Sequence, residues 1–403
     1  MSIKKVTNKK SPYYGKWYVR VQPVVNGKRV TIPVHYANTK RQAEVLELKL
    51  VDNAKHGFDY EGANQPLADA FSTWIDRQKE LDRWSPVTER TWRYTEKVVH
   101  QYSHGLKIKD CNEQTMRKLV HDYVNDRNIS VSAHSCADRV LQQLRTYFLT
   151  LEGVTIVKSP IPKRALDFFF RKDRQSIVQD KYVLTDEELI KFKSIIKNDL
   201  QRLSVNKCVT RLGLWIEAET GMRPQEIQAL HFSDLVKDEG HWVFKIGDSY
   251  SELQGKMNGH LKSRKRGEFR LTPPITAELH QAIQDFKDEQ TKFIEEKEIP
   301  NPNHLIMLCL ADYRLGRLGK PVTQRSMNEL LKIICKKANV NSNGLPLTCY
   351  TLRTTVATRL AKLNDYNYAS ARLGNSLAVY TRYYVKPLSS GYSDLMDRYL
   401  AMQ

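Results

Sequence analysis

The apolar positions change their period along the chain, and each change marks a different kind of element. From Gly15 to Val34 apolar and polar residues alternate on both sides of Asn26-Gly27. An Asn-Gly pair between two alternating runs predicts a β-hairpin, because its tight turn needs positive φ at both central residues. The stretch 39–54 then takes helical spacing, with Thr39 placed as N-cap. These signals predict a small three-stranded sheet with one helix behind it over residues 1–60.

From about 65 to 155 the period is helical throughout. Leu67, Phe71, Trp74 and Ile75 share one face, as do Trp92, Thr95 and Val99 after a Ser85-Pro86 start signal. Met116, Leu119, Val120 and Tyr123 form a further stripe, and Val140, Leu141, Leu144 and Phe148 another. The pattern predicts a bundle of four or five helices. Residues 156–180 break it with Pro160, Pro162 and a crowd of cations, which predicts a basic linker. Thr185 followed by Glu188 is a capping box opening a last domain over 181–403. That domain reads as mainly helical, interrupted by two strands at 241–247 and 268–275 around a long basic loop. The fold class expected is therefore multidomain and mainly α, with small β-sheets.

Charge narrows the function. The chain of 403 residues holds 64 Lys+Arg against 45 Asp+Glu, a net charge of +19 that points to a polyanionic partner. No apolar run is long enough for a membrane span and the polar N-terminus has no signal-peptide core, so nucleic acid is preferred over a membrane. The excess is also localised. No acidic residue precedes Glu44, while Lys4, Lys5, Lys9, Lys10, Arg20, Lys28 and Arg29 crowd the first module, which is expected to bind DNA. Arg90 and Arg93 on the second helical stripe, and Lys163 and Arg164 in the linker, are further candidate phosphate contacts. Six scattered cysteines without a C-x-x-C pair read as reduced thiols. No nucleotide-binding loop or metal-ligand motif is present in the sequence, so no cofactor and no metal are expected.

Three short stretches of the last domain carry the chemistry. TGMRPQEIQAL places Arg223 at a predicted helix start, with Glu226 one turn on. YTLRTTVATRL places Arg353 in an apolar, hydroxyl-rich helix. LGNSLAVYTRYY is a small-residue turn leading to adjacent tyrosines. Planar guanidinium forks bind the non-bridging oxygens of a phosphodiester bidentately. A phenol, with a pKa near 10, becomes a nucleophile when its anion is stabilised by such cations. Two arginines converging on a tyrosine are what in-line attack on a phosphodiester requires.

In order and spacing these pieces resemble the tyrosine recombinase family, in particular the phage and mobile-element integrases of the lambda type. The basic β-module, helical bundle and larger last domain are similar to that family's arm-binding, core-binding and catalytic domains. The resemblance implies Arg223 and Arg353 as the catalytic arginines, Glu226 as a supporting acid, and Tyr384 as the nucleophile, with Tyr383 and then Tyr380 as its competitors. It implies a lysine on the basic loop as general acid, Lys262 first and Lys265 second. Two positions depart from the pattern: Tyr350 and Asn375 stand where the family usually has histidine, or histidine or tryptophan. Both can hydrogen-bond, but neither titrates near neutrality.

The implied function is site-specific integration or excision of a phage or mobile element. It would run through a 3′-phosphotyrosyl link and a four-way junction, in a homotetramer on core-type and arm-type duplex DNA. A DNA-bending accessory protein or excisionase, and a location at the nucleoid of the host bacterial cytoplasm, follow from the same resemblance. Two other readings stay open: a binding-only protein on this scaffold, made plausible by Tyr350 and Asn375, and a topoisomerase-like enzyme acting on a single duplex.

Overall fold

Alternation at residues 17–20 buries Val19 and leaves Arg20 in solvent, and this segment is the central strand of the first sheet. The structure is a computed structural model that describes residues 2–25, 28–29, 31–55, 57–172, 181–262, 264–311 and 317–385. It divides into two compact units, Met1–Val178 and Gln179–Gln403.

In the first unit, β1 (Ser2–Lys5) and β2 (Trp17–Arg20) pair antiparallel. Strands β3 (Val24–Val25) and β4 (Lys28–Arg29) form a separate two-stranded ribbon. Strand β5 (His35–Ala37) returns to the other edge of β2, giving the order β1-β2-β5. The Asn-Gly hairpin thus pairs as the alternation predicts, but it stands outside the sheet, and the N-terminal residues supply the third strand. Helix α1 (Lys40–Lys55) covers one face through Ala43, Leu50 and Ala54. Thr39 caps it, accepting from the Gln42 amide at 3.2 Å while its own N–H donates to the Gln42 side chain at 3.3 Å. The register lines up Lys4, Tyr18 and Tyr36 across the opposite face, with Arg20 two residues along and Tyr13 stacked on Tyr36 at 3.8 Å.

Helices α2 (Tyr60–Ala63), α3 (Leu67–Glu80), α4 (Pro86–Tyr102), α5 (Glu113–Asp126) and α6 (Cys136–Leu151) follow. The stripes read from the sequence meet in one core that includes Phe71, Val99, Met116, Leu144 and Phe148. Ser85 caps α4, accepting from the Thr88 N–H. The expected linker is only partly one. Helix α7 (Ala165–Phe169) lies inside it, and Ile161, Ala165, Leu166, Phe169 and Phe170 are buried in the bundle core. Lys163 and Arg164 are exposed on the outer side of this short segment, and their charge hid its apolar face in the sequence. Residues 173–180 lie outside the described residues.

The second unit opens with α8 (Asp186–Arg202), whose Thr185–Glu188 capping box forms as predicted. Helix α9 (Val205–Thr220) is its centre, packed by α8, α10 (Pro224–Gln228), α11 (Ala277–Glu296), α12 (Gln324–Lys337) and α13 (Cys349–Ala361). Strands β6 (Leu235–Asp238) and β7 (His241–Ile246) come next, then a β8 (Tyr250–Ser251) and β9 (Lys256–Met257) hairpin, then β10 (Arg270–Leu271). The sheet runs β10-β7-β6, so the two predicted strands are neighbours and β6 adds an edge. Helices α14 (Tyr366–Leu373) and α15 (Leu377–Tyr384) close the described chain. The helix expected over 389–403 lies outside the described residues. All six cysteines are free, and among the described residues no helix is long and apolar enough to cross a membrane.

One residue of α9 runs against its surroundings. Glu217 is fully buried, and among the described residues neither carboxyl oxygen has a nitrogen or oxygen partner. The Cys349 thiol beside it is a weak donor. Burial pushes the Glu217 carboxyl well above the usual carboxylate range, and the Arg353 cation offsets only part of this. The folded state therefore binds a proton that the unfolded state releases. The associated stability is full below the unfolded pKa of about 4.3 and is lost as pH rises toward the folded value. Replacing the carboxyl with Glu217→Met is expected to stabilise the protein by about 1–3 kcal/mol. Thermal unfolding should show a larger gain at about pH 8 than at about pH 5; a gain independent of pH would mean that Glu217 does not titrate as described.

Candidate active site

Helix C-termini leave carbonyls without intrahelical partners, and in the second unit two such ends face two arginines. Helix α9 ends at Gly221, φ 61°, and α14 ends at Gly374, φ 68°. Arg353, from the middle of α13 and 2 % exposed, donates to the Gly221 carbonyl at 2.6 Å and the Leu373 carbonyl at 2.7 Å. Arg223 is the N-cap of α10 and donates to the Gly374 carbonyl at 3.0 Å. Both guanidinium groups then share one acceptor, the Asn375 side-chain oxygen, at 3.0 Å from Arg353 and 3.2 Å from Arg223. Because both partners are pure donors, the Asn375 amide must present its oxygen to them. Its Nδ2 is buried with no partner among the described residues. The two glycines are required by close approach as well as by φ. A Cβ on Gly221 would lie 2.8 Å from Leu373 Cδ2, and one on Gly374 would lie 2.7 Å from Arg270 Cδ.

Glu226 sets Arg223 from below. Its carboxylate, 2 % exposed, accepts from Arg223 Nη1 at 2.8 Å and from the Arg223 backbone N–H at 2.8 Å. It also accepts from Arg270 Nη2 at 2.6 Å. Burial alone would raise the Glu226 pKa, but Arg270, Arg223 and Arg353 outweigh it and hold the group below its ordinary value. Burial, and then repulsion by Arg223, lowers the Arg353 pKa. Burial with the neighbouring cations brings Arg270 down to about 10, still charged at neutral pH. Arg223, 21 % exposed, is the member of the set that faces solvent.

The three candidate tyrosines differ in their surroundings, and Tyr384 is the one that bears on the charge of Arg353. The Tyr384 ring packs on Tyr380 at 5.5 Å, and its hydroxyl favours the charged form of the Arg353 guanidinium. Tyr380 is fully buried and donates to the Ala357 carbonyl at 2.6 Å, a packing role. Tyr383 is 51 % exposed with the Arg382 guanidinium over its ring. Tyr350 is half-buried one turn before Arg353. Burial raises its pKa, although Arg223 and Arg353 pull it down, and the Lys181 ammonium stands 5.1 Å from its ring centre.

The remaining candidates spread outward. Lys262 and Lys265 are exposed on the loop before β10, which Leu261 anchors in the core. No contact joins either lysine to the arginine set among the described residues. Lys4, Lys5, Lys9, Lys10, Arg20, Arg29, Arg90, Lys163 and Arg164 are exposed in the first unit, and the Lys28 side chain lies outside the described residues. Arg93 is already engaged: it pairs with Asp76, with Glu96 at 3.1 Å and with Glu89 at 3.8 Å, which competes with a phosphate contact. Among the described residues no group of three or more His, Cys, Asp or Glu is placed to hold a metal. The sequence reading missed Arg270. Arg270 lies inside the strand expected at 268–275, and an arginine within that strand was the available signal.

The sequence matches the phage integrase family over residues 183–389. No curated protein matches it. Solved structures do match. The Tn1549 transposon integrase in complex with transposon right end DNA superposes with a TM-score of 0.63 at 18% identity, covering 83% of this chain and 99% of that one. The XerH site-specific recombinase bound to palindromic difH substrate in a post-cleavage complex gives 0.54 at 16% identity, covering 89% and 88%. A lambda integrase dimer bound to a COC′ core site gives 0.50 at 14% identity, covering 94% and 93%. At these identities the likeness concerns the fold.

The turn at Gly374 is where the two arginines and Asn375 are fixed together. Gly374→Ala is expected to destabilise the protein by about 1–2 kcal/mol from the left-handed backbone alone, and further through contact with Arg270. A urea midpoint unchanged from wild type would show that the turn tolerates a Cβ.

Proposed function

The chain belongs to the phage integrase family, and on that premise we propose that it is a site-specific DNA recombinase with Tyr384 as its nucleophile. The observation that carries this reading is the convergence of Arg353 and Arg223 on the Asn375 oxygen, with Tyr384 at the end of α15, which packs on the helix of Arg353. A scissile phosphate placed against Arg223 meets its guanidinium, the solvent-facing member of the set, with Arg353 behind it. Donors already in position when charge builds on the non-bridging oxygens lower the barrier by several kcal/mol in typical sites.

The Tyr384 oxygen attacks phosphorus and gives its proton to water, the bond from phosphorus to the 5′-oxygen breaks, and that oxygen takes a proton from Lys262, with Lys265 as the second candidate donor. A 3′-phosphotyrosyl ester and a free 5′-hydroxyl result. One phosphoester replaces another, so the step needs no ATP, and a 5′-hydroxyl of a partner strand reverses it. Tyr350 supplies a hydroxyl donor where the family usually has a histidine.

DNA is the partner supported by the +19 charge and by the outer face of the first sheet, where Lys4 and Arg20 flank Tyr18 and Tyr36. The finer reading follows the family: four copies on core-type and arm-type sites, a Holliday junction, and integration or excision of a phage or mobile element. A bending protein or excisionase assists, in the cytoplasm of a bacterial host.

The test uses nicked duplexes with randomised sequence around the nick, in buffer containing EDTA, with denaturing gels to trap covalent adducts. Wild type is expected to form an adduct, Tyr384→Phe none, and Tyr383→Phe an adduct at the wild-type level. Loss with Tyr383→Phe alone would move the nucleophile by one residue. Binding without any adduct would favour the binding-only reading, with Tyr350 and Asn375 as its basis. Arg223→Ala is expected to slow adduct formation about 10²–10³-fold. Separately, Lys4→Ala and Arg20→Ala are each expected to reduce the slope of log K against log salt by about 0.9. Unchanged slopes would remove the sheet face from the DNA-binding surface.

A further inference from the structure

We propose that Arg270 is a positioning residue for strand cleavage, acting through Glu226 to fix Arg223 and tying the basic loop to the turn that carries Asn375. This rests on the proposed recombinase reading and names a residue beyond its arginines and tyrosine. Arg270 is the first residue of β10, directly after the loop bearing Lys262 and Lys265. Its side chain is 1 % exposed, a setting in which a cation persists only when its charge and its N–H groups are met.

Two contacts meet the charge and the two terminal nitrogens, while Nε is buried with no partner among the described residues. Nη2 donates to Glu226 Oε2 at 2.6 Å, and Nη1 donates to the Arg372 carbonyl at the end of α14. Glu226 Oε2 is the same oxygen that accepts the Arg223 backbone N–H, while Oε1 holds Arg223 Nη1. The Arg270 stem also lies against Gly374, whose carbonyl accepts from Arg223. One guanidinium fork thus contacts both supports of Arg223: the carboxylate beneath it and the turn beside it. Arg372 completes the joint from the other side, reaching Asp238 of β6 at 2.7 Å and the Thr272 carbonyl at 3.3 Å. A lysine could not span both acceptors, because the planar fork sets their separation.

The test is a double-mutant cycle read on single-turnover adduct formation and, separately, on DNA affinity, using the nicked duplex recovered from the randomised pool. Arg270→Met is expected to slow adduct formation about 10²-fold, as a displaced catalytic group does, with affinity close to wild type. Glu226→Gln should show a similar loss, and the double variant should be no slower than the worse single one, because both act on Arg223 through one contact. Arg270→Lys, which keeps the cation without the fork, is expected to lose about tenfold; it decides the question if Arg270→Met does not fold. Multiplicative losses, affinity falling in step with rate, or Arg270→Lys at the wild-type rate would overturn the inference while leaving the recombinase reading intact. Absence of an adduct with wild type would overturn both.

Discussion

A single buried carboxylate stands among three guanidinium groups, and most of the second unit is arranged so that this charge set can exist. Unit charges about 4 Å apart interact by about 4 kcal/mol even at an effective dielectric near 20, so Arg223, Arg270 and Arg353 repel one another strongly. Glu226 offsets part of that repulsion, and the carbonyls of Gly221, Arg372, Leu373 and Gly374 offset more. The remaining positive charge is what an anionic phosphate entering beside Arg223 would meet. A site that holds excess cations under tension in the resting protein is suited to an anionic ligand.

The same constraint explains the local architecture. Helices α9 and α14 both stop on left-handed glycines because their terminal carbonyls must turn toward the arginines, and because a side chain there would collide with Leu373 or with Arg270. The short α10 begins at Arg223 so that Glu226 falls one turn later, beneath it. Asn375 follows Gly374 and bridges both arginines with one oxygen. A histidine ring in its place would present a single nitrogen in a different plane. The departure at position 375 therefore changes how the two arginines are linked as well as what faces a substrate.

The first unit makes a different use of charge. Its cations are exposed and spread over the outer sheet face, the helical bundle and the segment around α7, where they are screened and act over a surface. Arg93 shows the limit of counting cations from a sequence: three carboxylates on its own and a neighbouring helix already occupy it. Lys163 and Arg164 show the converse, since residues that suggested an open linker ride on a segment whose apolar side is core.

What the sequence determined by itself is what depends on neighbours within a turn or two. Thr39, Ser85 and Thr185 cap helices through residues three positions on, the stripes of α3 to α6 follow from helical period, and the Arg223–Glu226 pair lies within one turn. The ordered arginine and tyrosine motifs carried the family for the same reason, each being a short local pattern. Only the tertiary structure decided that Tyr380 is buried as packing while Tyr383 is exposed, because adjacent tyrosines differ by rotation about α15 rather than by composition. It also decided that Arg270 belongs to the site, 44 residues from Glu226 and 102 from Arg372 along the chain, and that Glu217 is entombed beside Cys349. Burial and pairing at such separations depend on how whole elements pack, and no local period encodes that.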